Sequence, residues 1–262
     1  MKTLAQIAGR LGAIKRNRFY GNPGTAESRR KGGIVSYSRF KSLAECSSNA
    51  GFKLEKKIAV PSHDPLLAEF LGIVIGDGSI SDYQVRIYFN AKTDAVYAGF
   101  VKDLVLQLFQ IGATLAKRPK NTLELIISSR ALVKFLSSAG LQKGNKVKNQ
   151  IAVPAWIQED SACSHACLRG LMDTDGGVYF HTHITKGIKY RHMGLCFTSR
   201  SRPLLDAVEQ VLLQIGIPAR NDERERVEVY SKDSIEKYMN LIGSHNLNHL
   251  KRFRLHKNTI VA

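Results

Sequence analysis

The arrangement of apolar and polar residues divides the chain near residue 60. Before it, apolar positions are sparse, and their spacing predicts only short helices, at Leu4 to Ile14 and Tyr37 to Ala44. From Asp64 the texture is that of a folded domain. Asp64-Pro65 offers an N-cap followed by proline at the first helical position. The middle of the run from Leu66 to Gly78 is apolar all round, so the helix it predicts must be buried, and Gly78 suits its stop. Residues 82–90 then alternate, with Tyr83, Val85, Ile87 and Phe89 on one face and Gln84, Arg86, Tyr88 and Asn90 on the other. That is the period of a half-buried strand. A helix over about 93–111, strands around 113–119 and 122–128, and a helix over about 129–139 complete the order helix, hairpin, helix, hairpin, helix.

The order then repeats. Cys167 to Gly176 matches the first buried helix, and Asp175 falls 98 residues after Asp77. Ile111-Gly112 matches Ile215-Gly216 at an offset of 104, and Leu132 to Leu136 matches Ile235 to Met239 at 103. The extra residues fit a longer first hairpin in the second copy, around Tyr179 to Tyr190. Offsets this consistent over four elements predict two copies of one subdomain, residues 61–150 and 151–262, in an α+β fold.

Charge adds a partner class. Lys and Arg number 39 against 22 Asp and Glu, a formal net charge of +17, which attracts a polyanion such as a phosphate backbone. A ribosomal or membrane-surface protein shares that balance. Residues 1–57 hold 13 of the Lys and Arg and 3 of the acids, so more than half of the surplus lies in the first fifth of the chain. This reads as a basic arm, residues 1–60, on a globular body. Its clusters are Lys15-Arg16-Asn17-Arg18, Arg29-Arg30-Lys31-Gly32-Gly33 and Lys53 to Lys57. The amphipathic start (Leu4, Ile7, Leu11, Ile14) also suits an organellar transit peptide, but the basic character continues beyond it and favours a DNA-contacting segment.

Cys46, Cys163, Cys167 and Cys196 form no regular framework and read as reduced thiols of an intracellular protein, in a bacterial or archaeal cytoplasm or a eukaryotic organelle. Cys163, His165 and Cys167 lack a second ligand pair at zinc spacing. No apolar run reaches the roughly 18 residues that span a bilayer.

Each copy opens on a helix with a central glycine, Gly72 or Gly170, and a terminal acid before glycine, Asp77-Gly78 or Asp175-Gly176. Glycine there lets two helix backbones pack closely. Paired about a pseudo-twofold axis, the helices would present both acids side by side, where they repel unless a cation sits between them. Mg²⁺ suits oxygen ligands and keeps its waters, and helix C-termini favour it further, with Mn²⁺ or Ca²⁺ substituting in binding.

Phe70–Gly78 and Leu168–Gly176 resemble the paired signature helices of LAGLIDADG homing endonucleases of the monomeric two-motif type, over roughly residues 60–255. The resemblance implies two αββαββα subdomains whose four-stranded sheets form a saddle over DNA. It implies that Asp77 and Asp175 bind divalent metal, with backbone carbonyls from Gly76 and Thr174. Gly76 departs from the family's usual small side chain, which leaves a carbonyl ligand unaffected. Asp173 sits at the motif's less critical acid position, where the first copy has Ile75, and reads as structural. A basic residue near each scissile phosphate is also implied. Lys148 fits, and the offset of 103 carries it to Lys251. The resemblance further implies that a metal-bound water would attack each scissile phosphate in line, and that cuts across the minor groove would leave short 3′ overhangs.

For recognition, the polar strand positions Gln84, Arg86, Tyr88 and Asn90, with Lys117 and Arg118, would meet base edges in the major groove. Their counterparts are His181, His183, Arg191 and His192, with Arg200, Arg224, Arg226 and Glu228, and the arm adds Arg29, Arg30 and Lys31. The two sets differ, so the DNA target is expected to be long and asymmetric. A mobile intron is the expected setting. The alternatives on the same scaffold are an RNA-binding maturase of a group I intron and a DNA-binding regulator, and both retained acids favour the nuclease. Met1 and the ending Thr259-Ile260-Val261-Ala262 read as a free-standing chain rather than an intein.

Overall fold

The computed structural model describes residues 4–20, 24–46, 57–186, 188–222 and 224–259, in two units, Met1–Leu54 and Glu55–Ala262. The first unit holds α1 (Leu4–Tyr20) and α2 (Ala26–Cys46), both longer than their apolar spacing predicts. Local terms account for α2. Thr25 Oγ1 accepts from Ser28 N at 3.1 Å, and Glu27 pairs with Lys31 at 3.0 Å one turn on. Leu11, Ile14, Phe19 and Ile34 are exposed. Apart from Lys57, the Lys53 to Lys57 cluster lies outside the described residues.

The second unit carries both copies. The first runs α3 (Pro65–Asp77), β1 (Gly78–Ile80), β2 (Gln84–Asn90), α4 (Ala95–Phe109), β3 (Thr114–Arg118), β4 (Thr122–Ser128) and α5 (Arg130–Ser138). After a short α6 (Ala155–Gln158), the second runs α7 (Ser161–Thr174), β5 (Gly176–Thr185), β6 (Ile188–Thr198), α8 (Arg202–Gln214), β7 (Arg220–Asn221), β8 (Arg226–Val229) and α9 (Lys232–Leu241). α10 (Leu247–Thr259) follows. Each copy is αββαββα, and the fold is α+β. Its two antiparallel sheets share one topology, β1-β2-β4-β3 and β5-β6-β8-β7.

α3 and α7 pack on each other at the centre. Asp64 caps α3 by accepting from Leu67 N at 2.9 Å, and Asp160 caps α7 by accepting from Cys163 N at 2.7 Å. Where they cross, a Cβ on Gly72 would collide with the Cys167 carbonyl oxygen, and one on Gly170 with that of Glu69. The backbones touch, so only glycine fits. Gly78 and Gly176 follow the helices without a left-handed turn. Gly78 has φ −83°, and a Cβ there would lie 2.7 Å from Val74 Cα; at Gly176 it would lie 2.9 Å from Met172 Cα. Glycine is needed because the chain turns straight from the last helical turn into a strand.

Helices cover one face of each sheet. Val85, Ile87 and Phe89 of β2 and Val178, Met193, Leu195 and Phe197 of β5 and β6 join the core, each large side chain contributing about 1.5–3 kcal/mol. Tyr83, grouped with this face by its alternation, instead stays 56% exposed, with the Arg130 guanidinium 4.5 Å above its ring. β2 begins one residue later, at Gln84.

Candidate functional site

Asp77 is the last residue of α3 and Asp175 the C-cap of α7, so the crossing delivers one half-buried carboxylate from each copy to the same end. A Cβ on Gly76 would overlap Thr174 Oγ1 and come within 3.4 Å of Asp175 Oδ2, so the residues before the two acids fit each other as glycine against threonine. Thr174 Oγ1 donates back to the Gly170 and Leu171 carbonyls at 2.9 and 3.0 Å. Burial, then the Asp175 charge, pushes the Asp77 carboxyl up to about 7, and burial pushes Asp175 up to about 6.

The cation beside them is Lys146, not Lys148. Lys146 Nζ donates to the Val74 and Ile75 carbonyls at 3.0 and 2.7 Å and to that of Gly76. It sits at the negative end of α3 and in the field of both acids. Burial nonetheless lowers its ammonium to about 8. Lys148, two residues on, is exposed, its backbone N–H held by Asn145 Oδ1 at 3.0 Å. Lys251 is also exposed, on α10. At the offset of 103, Lys146 falls on His249, whose Nδ1 lies 3.5 Å from Asp173 Oδ1. The register is structural, since Gly140 (φ +104°) and Gly243 (φ +71°) stand at the same offset.

One cavity has Asp175 in its wall, and a second has neither acid in its wall. The first, of about 350 Å³, is lined by Gly76, Lys146, Asp175, Ser199, Arg200 and Glu225. The second, of about 270 Å³, is lined by Lys92, Thr93, Asn248 and Lys251. Lys251 lines the second cavity, while among the described residues the cation beside the acids is Lys146.

Behind the acids lies a polar network that no local pattern announces. Glu69, fully buried in α3, accepts from Arg169 Nη2 of α7 at 2.6 Å and meets His245 Nδ1 at 2.5 Å. Burial works against its charge, but these hydrogen bonds outweigh it and lower its pKa. Asp173 turns away from Asp175. Ser244 Oγ and the His245 N–H donate to it at 2.5 and 2.7 Å, and the Asn246 N–H at 3.3 Å. Asn246 Nδ2 reaches Asp94 Oδ1 in the first copy at 3.2 Å.

The open sheet faces hold most of the recognition candidates. Gln84, Arg86, Tyr88 and Asn90 share the face of β2 opposite its buried residues. Gln84 Oε1 accepts from Arg86 Nη2 at 2.9 Å, while Asn90 Oδ1 accepts from Lys92 N at 2.9 Å. Arg118 joins that face through Glu124, a nearly buried acid that also meets Arg86 at 3.4 Å. Lys117 does not, because it pairs with Leu123 on the core side of the pleat. On the second sheet Tyr179, His181 and His183 of β5, His192 of β6 and Arg226 and Glu228 of β8 share the open face. Arg191 is excluded: adjacent to His192 on one strand, it must point the other way, and its guanidinium lies 4.2 Å over Phe180. Glu228 is held by the Tyr179 and Tyr230 hydroxyls at 3.1 and 2.5 Å. Arg200 pairs with Glu225 at 2.9 Å at the cavity mouth, and Arg224 lies in the turn before β8. Arg29, Arg30 and Lys31 are exposed on α2.

Cys163, Cys167 and Cys196 are free thiols, the first two buried in α7. Among the described residues no helix is long and apolar enough to cross a membrane.

A family described as a LAGLIDADG-like domain matches residues 162–247. The ribonucleoside-diphosphate reductase NrdEB subunit alpha of Bacillus subtilis is 29% identical over 169 residues, 59% of this chain. The chain spans only 15% of that relative's length. The structure of I-DmoI in complex with DNA and Ca is 16% identical with a TM-score of 0.45, covering 70% of this chain and 92% of that one. Full-length DUF199/WhiA from Thermatoga maritima is 14% identical with a TM-score of 0.46, covering 75% and 61%.

Proposed function

We propose that this chain is a monomeric site-specific endonuclease of the LAGLIDADG type that makes a double-strand break in a long, asymmetric DNA target, in the setting of a mobile intron. The observation that carries this reading is the acid pair itself: one carboxylate from each copy, both held partly out of water and both raised in pKa. Perturbed acids of this kind in a cleft mark functional sites.

The donor set fits a hard divalent cation. Two carboxylates converge with helix-end carbonyls, and an ammonium already rests on those of Val74, Ile75 and Gly76, standing in for positive charge. Asp77 and Asp175, with the Gly76 and Thr174 carbonyls, would hold Mg²⁺, Mn²⁺ or Ca²⁺. Such an ion supplies charge for the phosphate oxygens and a water of lowered pKa. Lys146 offsets the charge that develops on the phosphate in the larger cavity. Gln84, Arg86 and Tyr88 on one sheet, and His181, His192 and Arg226 on the other, read base edges, and their dissimilarity makes the target asymmetric.

The direct test is incubation of the full chain with Mg²⁺ and a DNA library spanning uninterrupted insertion sites, sequencing the ends. Defined double-strand ends are expected. Ends no different from a metal-free control would sink the nuclease and leave a binding protein.

Lys146→Met is expected to slow single-turnover cleavage roughly 10²–10³-fold, with DNA affinity within a few-fold of wild type. Lys148→Met should leave the rate within a few-fold. The reverse ranking would return the role to Lys148.

The arm contributes sequence-independent affinity. Removing residues 1–54 is expected to weaken binding and flatten its dependence on salt, since fewer counterions are released. An unchanged slope in fluorescence-anisotropy titrations would make the arm a passive appendage.

A further inference from the structure

The open face of the first sheet has a carboxylate at its middle. Glu124 of β4 is the direct cross-strand partner of Tyr88 on β2 and of Ala116 on β3. It is nearly buried, with a guanidinium on either side. Arg118 Nε of β3 donates to its Oε2 at 2.6 Å, and Arg86 Nη1 of β2 lies 3.4 Å from its Oε1. The contacts continue past Arg86. Gln84 Oε1 accepts from Arg86 Nε and Nη2 at 3.1 and 2.9 Å, and Gln84 Nε2 donates to Ser128 Oγ at 3.0 Å.

We infer that Glu124 is a positioning residue for base recognition, setting Arg86 and Arg118 to read two neighbouring guanines in the half of the target under the first sheet. This rests on the proposed binding of DNA to the sheet, not on its cleavage. A carboxylate facing a polyanion opposes binding unless it serves its neighbours. Here it fixes two long side chains in place before DNA arrives, so less rotamer freedom is lost on docking. Arg118 is held through Nε, which leaves both Nη groups to donate. Guanine presents O6 and N7 as paired acceptors in the major groove, and an arginine fork matches them.

The Arg86 and Arg118 side chains remain 45% and 50% exposed, so each keeps an edge open to a base. Because both converge on one carboxylate, the two guanines should lie within about two base-pair steps of ~3.4 Å. The second sheet has an acid at the matching place. Glu228 lies at the offset of 104 from Glu124, but the Tyr179 and Tyr230 hydroxyls hold it instead of guanidiniums. The guanine pair is therefore confined to one half of the target.

Selection from a fully randomised DNA duplex pool by the full chain, in chelator so that nothing is cut, tests the assignment. Wild type is expected to enrich two guanines within about two steps, each favoured roughly tenfold or more over the other bases. Glu124→Gln should reduce both preferences to below about threefold while binding the unselected pool at least as tightly, since a negative charge leaves the face. Arg118→Lys keeps the charge without the fork, and should erase one guanine and leave the other. Melting followed by circular dichroism checks that both variants fold. Guanine preferences that survive Glu124→Gln, an Arg118→Lys profile like wild type, or preference and pool binding lost together overturn the assignment. So does a wild-type selection without paired guanines. Failure of the nuclease reading shows separately, as DNA left whole in Mg²⁺, and leaves these base preferences standing.

Discussion

Asp77→Asn and Asp175→Asn are each expected to lower metal-dependent double-strand cleavage by roughly 10³-fold or more while leaving DNA binding within a few-fold. Each removes one of the two carboxylates brought by the helix ends, and several kcal/mol of charge stabilisation goes with it. Because the acids come from different copies yet share one site, both single variants should fail on both strands. A variant that lost one strand's cleavage and kept the other's at wild-type rate would show that each acid serves its own phosphate.

In the metal-free protein the same substitution acts on stability with the opposite sign. The Asp77 carboxyl titrates at about 7 when folded, against an ordinary 3.8. A raised acid contributes stability below its unfolded pKa, and that contribution drains away as pH climbs from about 4 through about 7. Asp77→Asn has no charge to bury. It should therefore gain roughly 1–2 kcal/mol over wild type near pH 8 and nothing near pH 4, read from urea unfolding in chelator. Water at the half-buried carboxylate screens part of the cost and keeps the gain modest.

Glu69→Ala is expected to be the most destabilising single change, by roughly 3–5 kcal/mol. It strips the partner from the Arg169 guanidinium, whose side chain is 22% exposed, and from His245. Glu69→Ala combined with Arg169→Met should recover part of the loss, since burying two apolar groups costs less than stranding one charge. A loss below about 1 kcal/mol in the single variant would mean that water reaches Arg169 and replaces the carboxylate.

The repeat and the acids at the helix ends were legible in the sequence because both are written in local pattern. An apolar run closed by Asp-Gly occurs twice, with strands after each, and β2 shows a clean period of two. Which lysine lies beside the acids was not legible, for a physical reason. Lys148 and Lys251 share a charge and an offset, but loop geometry rather than residue type decides which side chain enters the site. Loop geometry pairs Lys146 with His249. Lys117 and Arg191 fall off the open face for a related reason, since each neighbours a residue that lies on it, on a strand where adjacent residues face opposite ways. The partnership of Glu69 with Arg169 spans 100 residues and leaves no local trace.

That partnership bears on how the two copies came to differ. At the helix offset of 98, Glu69 corresponds to Cys167 and Arg169 to Leu71. Two first copies facing each other would set Glu69 against leucine, and two second copies would set Arg169 against cysteine. Either self-pairing strands a charge in a dry seam, whereas the unlike pairing satisfies both. Whatever symmetric ancestor the duplication began from, the seam now accepts only one left half and one right half. Joining the copies in a single chain has become a commitment that neither half can undo alone.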